Sequence, residues 1–211
     1  MSPTERKRKP GRPQHPIGRD ALLVLARQAY AAHGYAGVSM ADVAGSAGLR
    51  KASLFHHFAS KDALYREVLA GAVADIGGPL GRARQAEGAF LHRLDHLADR
   101  ASDTFAAHPD AARLLLRELM DGGRGLGEEG REAVAHALGE LAAFLQEGML
   151  EGAIPAQDPH QLALSLASLH LGFFALPTLV ADLLEVEPEE PRTIAARKQA
   201  ARRHTRRICG V

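Results

Sequence analysis

Two neighbouring basic residues, Arg50 and Lys51, begin a short segment whose side chains could read DNA. An arginine can donate two hydrogen bonds to O6 and N7 of guanine in the major groove, and a lysine can reach guanine or a phosphate. Ser53 carries a hydroxyl that suits a base edge or a phosphate, and His56 and His57 follow it. These residue types at this spacing predict contacts with double-stranded DNA.

Two short helices, predicted at about 40–46 and 50–57, would position these side chains. Ser39 can cap the first helix, and Asp42 three residues later completes a variant of the capping box. Gly48 occupies the turn, where a positive φ is accessible to glycine at little cost. This arrangement is typical of a helix-turn-helix, which places its second helix in the major groove.

The inner faces of the two short helices are apolar. Val43, Ala44 and Ala47 are small and allow the second helix to approach closely. Four residues are predicted to return the second helix to the core: Leu49, Leu54, Phe55 and Phe58.

Residues 19–69 resemble the N-terminal domain of the TetR/AcrR family of bacterial transcriptional repressors, and a first helix is predicted at about 19–33. The residues outside the helix-turn-helix that carry the likeness are Leu22, Ala26, Ala29, Tyr30, Gly34, Tyr35, His57, Phe58, Lys61 and Leu64. The likeness covers the first third of the chain. The remainder matches the family only in being helical and of suitable length.

The resemblance implies base and phosphate contacts from the second short helix and a phosphate contact from Lys61. Ser39, at the start of a helix, could offer its hydroxyl and backbone N–H to another phosphate. The chain departs from the family at two positions. Phe55 replaces a frequent tyrosine and lacks its phenolic hydroxyl, and Arg50 replaces a frequent serine or threonine, which adds charge and predicts a different operator.

For the rest of the chain the resemblance implies a four-helix dimer interface made by the last two long helices and an inducer pocket in the helices before them. A dimer is also expected because one recognition helix reads too few base pairs for useful specificity. Candidate ligand-binding residues, for each of which packing in the core is the favoured alternative, lie on the most apolar segments: Leu115, Leu119, Phe144, Met149, His170, Phe173 and Phe174. His170 is a possible polar anchor for an apolar or aromatic small molecule.

Charge is strongly segregated along the chain, although the net charge is only +1. Residues 1–70 hold 11 Lys/Arg against 5 Asp/Glu, residues 71–190 hold 8 against 20, and residues 191–211 hold 7 against none. A basic beginning and an acidic middle predict that one end alone meets nucleic acid. Arg12, within Gly11-Arg12-Pro13, partly matches an AT-hook that enters the A·T minor groove, and non-specific attraction to phosphates is an equal alternative.

No segment shows convincing strand alternation, so the sequence predicts an all-α fold. The N-terminal three-helix helix-turn-helix domain is expected at 19–70 after a disordered basic arm at 1–18, and a helical effector-binding and dimerisation domain at 71–211. A further helix is predicted at about 61–76, ended by Gly77-Gly78-Pro79. Others are predicted at about 89–107, 109–120 and 128–151. The next begins at Pro159 and is broken at Pro177, and the last, at about 189–207, ends in a basic tail.

Enzyme and membrane classes are disfavoured. The 11 histidines form no repeated metal-binding pattern, and His92 and His96 predict a solvated helix face instead of a zinc site. No cofactor motif, signal peptide or membrane-spanning run is found. The single cysteine, Cys209, is expected on a frayed terminus, and a chain with one cysteine suits the reducing cytoplasm. A ligand-released dimeric repressor that binds an inverted-repeat operator is favoured, and an architectural A·T-binding protein that uses the basic arm is the alternative.

Overall fold

The computed structural model describes residues 17–211, apart from the side chain of Ala83. All regular secondary structure in that part of the chain is helical, which confirms the all-α prediction. The helices are α1 (Arg19–His33), α2 (Met40–Ser46), α3 (Lys51–His57), α4 (Lys61–Ala83), α5 (Phe90–Ala107), α6 (Pro109–Met120), α7 (Gly127–Leu150), α8 (Pro159–Ala175), α9 (Pro177–Leu184) and α10 (Pro191–Ile208).

The predicted end of α4 near residue 76 is wrong. The helix passes through Gly77-Gly78-Pro79 and continues to Ala83. An interior proline removes one backbone hydrogen bond and crowds the carbonyl four residues earlier. Packing offsets this cost, because Ile76 is buried and Leu80 lies against both apolar cores of the protein.

The break between α8 and α9 is confirmed. The Asp158 carboxylate caps α8 by accepting hydrogen bonds from two backbone N–H groups of its first turn, and Pro177 begins α9 directly after Leu176. The two helices are bent by 82° relative to each other. Within residues 17–211 no single helix has the length and apolar character to cross a membrane, and this bent pair alone has them in combination.

Two apolar cores hold the helices together. The first runs without interruption from α1, α2 and α3 through α4 into α5 and α6, and it contains Leu22, Leu54 and Leu114. The second is built by α5, α7 and α8, with Phe90 and Leu145 at its centre. The helix-turn-helix and the helices after it therefore share one continuous core.

Cys209 does not lie on a frayed terminus, contrary to the prediction. Its side chain is fully buried in the second core, and burial raises the pKa of the thiol to about 11. The last helix packs against α5, and Cys209 directly after it is part of the second core.

The basic α10 faces the acidic side of α5 instead of forming a free tail. Arg206 pairs with Asp95 at 2.7 Å, Arg202 pairs with Asp99, and Lys198 pairs with Asp103 at 2.9 Å. The three pairs recur at one-turn intervals because both helices repeat about every four residues. Much of the charge segregation along the chain is therefore neutralised between these two helices.

Candidate nucleic-acid interface and ligand cavity

The start of α2 has the capping box that the sequence predicted. Ser39 Oγ accepts hydrogen bonds from the backbone N–H groups of Ala41 and Asp42, both at 3.2 Å. The Asp42 carboxylate accepts in return from the Ser39 N–H at 2.8 Å. The Ser39 side chain, and secondly the Ser39 backbone N–H, lower the pKa of this carboxyl group. A serine hydroxyl can also donate a hydrogen bond, which suits contact with a phosphate.

The turn between α2 and α3 depends on Gly48, whose φ is +66°. A side chain at this position would be strained in the left-handed region. Leu54 is fully buried and anchors α3, while Arg50, which precedes the first helical residue, and Lys51 are exposed. The local geometry therefore presents the start of α3 to solvent.

The remaining predicted contacts of α3 are all at least partly accessible. His56 and His57 are exposed, and Ser53 is half-buried. Arg12 lies outside the described residues.

Phe55 was predicted to pack into the core, and this is wrong. Its side chain is 43% exposed, and Lys51 Nζ lies 5.9 Å from the centre of its ring. Residues four apart share one face of a helix, so Phe55 stands beside Lys51 and one position away from the buried Leu54. The exposed face of α3 thus carries an aromatic ring as well as positive charge.

Lys61 is half-buried at the start of α4. Its Nζ lies 4.1 Å from the centre of the Tyr35 ring, and the Tyr35 hydroxyl donates a hydrogen bond to Asp62. This hydrogen bond raises the pKa of Tyr35. Lys61 is therefore held against an aromatic ring instead of moving freely in solvent.

Helix α6 connects the helix-turn-helix to the rest of the molecule. Arg27 of α1 donates to Asp110 of α6 at 2.7 Å and also pairs with Asp75 of α4. Tyr65 of α4 donates to the buried carboxylate of Glu118 at 2.7 Å. Several polar contacts thus fix the position of α1 and α4 relative to α6.

The opposite side of α6 borders a cavity of about 400 Å³. Helices α4, α5, α6, α7 and α8 form its walls, Thr205 of α10 also lines it, and its surface is almost entirely apolar. Leu115, Leu119 and His170, three of the predicted ligand-binding residues, border this cavity. A cavity of this size and character suits a small apolar molecule.

The four other predicted ligand-binding residues do not border the cavity. Phe144 is buried in the second core, with Met149 packed against that core. Phe173 and Phe174 flank a separate crevice of about 10 Å³. Their apolar character reflects packing at these positions, which sequence composition does not distinguish from ligand contact.

Sequence reasoning did not identify the walls contributed by α4 and α5 or the polar residues Arg84, Ser168 and Thr205. Val134, Leu138 and Leu141 of α7 follow a helical spacing, and all three line the cavity. Arg84 is paired with Glu140 of α7 at 2.8 Å, which lowers the pKa of Glu140.

His170 is the buried histidine of the cavity wall, with 5% of its surface exposed. Burial, and secondly the positive charge of Arg197, lower the pKa of His170 to about 4. The imidazole is therefore neutral near pH 7. Its Nδ1 atom has no hydrogen-bond partner among the described residues.

Two family models match the chain. The model described as "Bacterial regulatory proteins, tetR family" matches residues 22–68, and the model described as "Tetracyclin repressor-like, C-terminal domain" matches residues 91–203, more than half of the chain. The chain belongs to the TetR family. It is a transcription regulator with a DNA-binding helix-turn-helix, in a family of regulators and not of enzymes.

A relative of this TetR-family chain is the HTH-type transcriptional repressor KstR2 of Mycolicibacterium smegmatis. The two are 43% identical over 61 residues, which are 28% of this chain and 30% of the relative. The chain thus aligns with less than a third of that repressor's length.

Two solved structures share the fold. The ketosteroid transcriptional regulator KstR2 of Mycobacterium tuberculosis superposes with a TM-score of 0.69 and 22% identity, covering 93% of this chain and 95% of that one. AibR, solved in complex with isovaleryl coenzyme A and operator DNA, superposes with a TM-score of 0.66 and 19% identity, covering 87% and 95%.

Proposed function

We propose that this TetR-family regulator binds an inverted-repeat operator in the cytoplasm as a homodimer and represses transcription until a small apolar or aromatic effector occupies the cavity. The observation that carries the proposal is the exposed start of α3, where Arg50 and Lys51 project from a helix anchored by Leu54. In this proposal residues 1–18 are an arm, 19–70 bind DNA, and 71–211 bind effector and dimerise.

The proposed DNA contacts combine base recognition with phosphate binding. Arg50 and Lys51 read base edges, which is the role best matched to their donors. The other proposed contacts are Arg12, Ser39, Ser53, His56, His57 and Lys61. Phosphate contacts orient the helix, and base contacts select the sequence.

Exposed leucines support the proposed dimer. Leu164 on α8 and Leu179, Leu183 and Leu184 on α9 are each more than half exposed, and Leu183 reaches 74%. A cluster of large apolar side chains on a monomer surface commonly marks a protein–protein interface. A second copy of the chain is the proposed partner, since a two-fold dimer matches an inverted repeat.

The proposed release mechanism is a shift between two conformations. Leu115 and Leu119 of α6 border the cavity, and Glu118 of the same helix is hydrogen-bonded to Tyr65. An effector that prefers one position of α6 would therefore favour one position of α4 and of the recognition helix. DNA affinity would fall in proportion to the effector's preference for the released conformation.

The molecules named for two proteins of similar fold are consistent with an effector that has an apolar part. KstR2 is named as a ketosteroid regulator, and AibR is bound to isovaleryl coenzyme A. The apolar walls around Leu97, Leu138 and Leu171 support the same class for this chain.

Selection from a random double-stranded DNA pool near physiological salt tests the DNA-binding part of the proposal. We expect an inverted repeat to be enriched. Lys51→Ala should weaken binding to that repeat about tenfold or more, as expected for loss of one good base contact. Arg203→Ala, which removes an exposed charge on α10, is the matched control and should leave the affinity nearly unchanged.

Deletion of residues 1–18 distinguishes the alternative. If this deletion abolishes binding and the pool yields only A·T tracts, the protein is an architectural DNA-binding protein and the proposed role of α3 is wrong. If the shortened protein still selects the inverted repeat, the deletion has removed only a few phosphate contacts, which agrees with the proposal. The salt dependence of binding should then be smaller.

A further inference from the structure

We infer that the cavity binds an apolar molecule carrying one neutral oxygen, a hydroxyl or a carbonyl, which hydrogen-bonds to His170 and Thr205. This inference rests on the proposed function, because it takes the cavity as the effector site. It adds the one polar feature that the effector must have and the two side chains that recognise it.

Two buried residues, each with a polar atom that has no hydrogen-bond partner among the described residues, border the cavity from different helices. His170 of α8 and Thr205 of α10 are 5% and 3% exposed. Neither His170 Nδ1 nor Thr205 Oγ1 has a partner among the described residues. A buried polar group left unpaired is unfavourable, so a ligand oxygen that pairs with these groups gains affinity.

The charges around the cavity favour a neutral oxygen over a carboxylate. His170 is uncharged near pH 7 because of its burial and the neighbouring Arg197. Arg197 does not line the cavity, and it donates a hydrogen bond to the Leu169 carbonyl while its guanidinium lies 4.8 Å from the centre of the Phe173 ring. A carboxylate beside His170 would thus lose water without touching a cation, which is unfavourable.

The remaining cation of the wall is already occupied. Arg84 lines the cavity, but it is paired with Glu140 at 2.8 Å. A neutral imidazole has one donor and one acceptor nitrogen, and a threonine hydroxyl can also donate or accept. His170 and Thr205 can therefore either accept from a hydroxyl or donate to a carbonyl.

Displacement of the neutral fluorophore N-phenyl-1-naphthylamine from the full-length protein tests this inference. Three competitors share one ring system: naphthalene, 2-acetonaphthone with a neutral carbonyl, and 2-naphthoate with a carboxylate. We expect the ketone to bind about five- to tenfold more tightly than naphthalene, as one hydrogen bond to a buried unpaired group predicts. The carboxylate should bind more weakly than the ketone.

Substitutions assign the preference to the two residues. Thr205→Val keeps the shape and removes the hydroxyl, and His170→Leu removes the imidazole, so each should lower the ratio of ketone to naphthalene affinity severalfold. His170→Gln keeps a hydrogen-bonding side chain and should retain part of the ratio. Thr193→Val is the matched control, since Thr193 is a buried α10 threonine whose Oγ1 also lacks a partner but does not border the cavity.

Two results would overturn the inference, and they differ in what else they affect. If all three competitors displace the fluorophore but the ratio is the same in wild type, Thr205→Val and His170→Leu, the polar site is wrong while the cavity remains an effector site. If neither the fluorophore nor any competitor binds, both this inference and the effector part of the proposed function fail. DNA selection remains independent of either result.

Discussion

The Tyr65 hydroxyl donates a 2.7 Å hydrogen bond to Oε2 of Glu118, and this bond joins α4 at the end of the helix-turn-helix to α6 at the cavity wall. The other carboxylate oxygen of Glu118 accepts from the Gly125 backbone N–H at 2.5 Å. Glu118 is 5% exposed, and hydrogen bonds from these two donors offset much of the cost of removing its carboxylate from water. These hydrogen bonds therefore compensate the buried carboxylate and tie α4 to α6.

Tyr65→Phe tests the contribution of this hydrogen bond. Removing the hydroxyl leaves a buried carboxylate short of one donor, which should lower the free energy of unfolding by about 1–3 kcal/mol. Tyr30→Phe is the matched control, because the Tyr30 hydroxyl is buried without a hydrogen-bond partner among the described residues. Urea unfolding of the two variants should show destabilisation of the first and little change or a slight gain in the second.

Gly148→Ala should destabilise the second core. A Cβ at position 148 would overlap the ring of Phe90, so α7 or the ring must move. Overpacking of this kind costs about 1–3 kcal/mol. Gly139→Ala on the same helix has no atom within 4 Å of its new Cβ and should stabilise the protein by about 0.5–1 kcal/mol. Equal thermal shifts for both substitutions would contradict the close approach of α7 to Phe90.

Because of the buried His170, we expect the folded protein to lose stability in mild acid. Its pKa falls from 6.5 to about 4 on folding, so between these values the unfolded chain binds a proton that the folded chain does not. Stability from this residue is therefore complete above pH 6.5 and declines by about 1.4 kcal/mol per pH unit as the pH falls toward 4.

Urea unfolding at pH 7 and pH 5 measures this effect. The difference between the two pH values should be smaller in His170→Leu than in wild type by about 2 kcal/mol. His160→Leu is the control, because His160 lies on the same helix with an 81% exposed side chain. A pH dependence unchanged by His170→Leu would show that this imidazole is not buried in neutral form.

The ion pairs between α5 and α10 should each contribute modestly. Arg206→Ala removes the pair with Asp95 and should lower the free energy of unfolding by about 0.5–1 kcal/mol, because both side chains are partly accessible. Arg207→Ala removes an exposed neighbouring charge and is expected to change stability less. The difference between the variants should shrink at 1 M salt, and a salt-independent difference would indicate lost packing instead.

The amino-acid sequence by itself determined the helix-turn-helix. The capping of α2 by Ser39, the positive φ of Gly48 and the bounds of α1, α2 and α6 depend on interactions within a few residues, so local patterns are sufficient to predict them.

Only the tertiary structure decided the features that need distant partners. Helix α4 continues through Pro79 because neighbouring helices pack around it, and Cys209 is buried because α10 folds back onto α5. The cavity likewise requires five helices to leave space between them, and its wall includes both His170 and Thr205, which are 35 positions apart in the sequence. Apolar composition marks a residue for burial, but the arrangement of the helices decides whether it contacts the core, a ligand or another subunit.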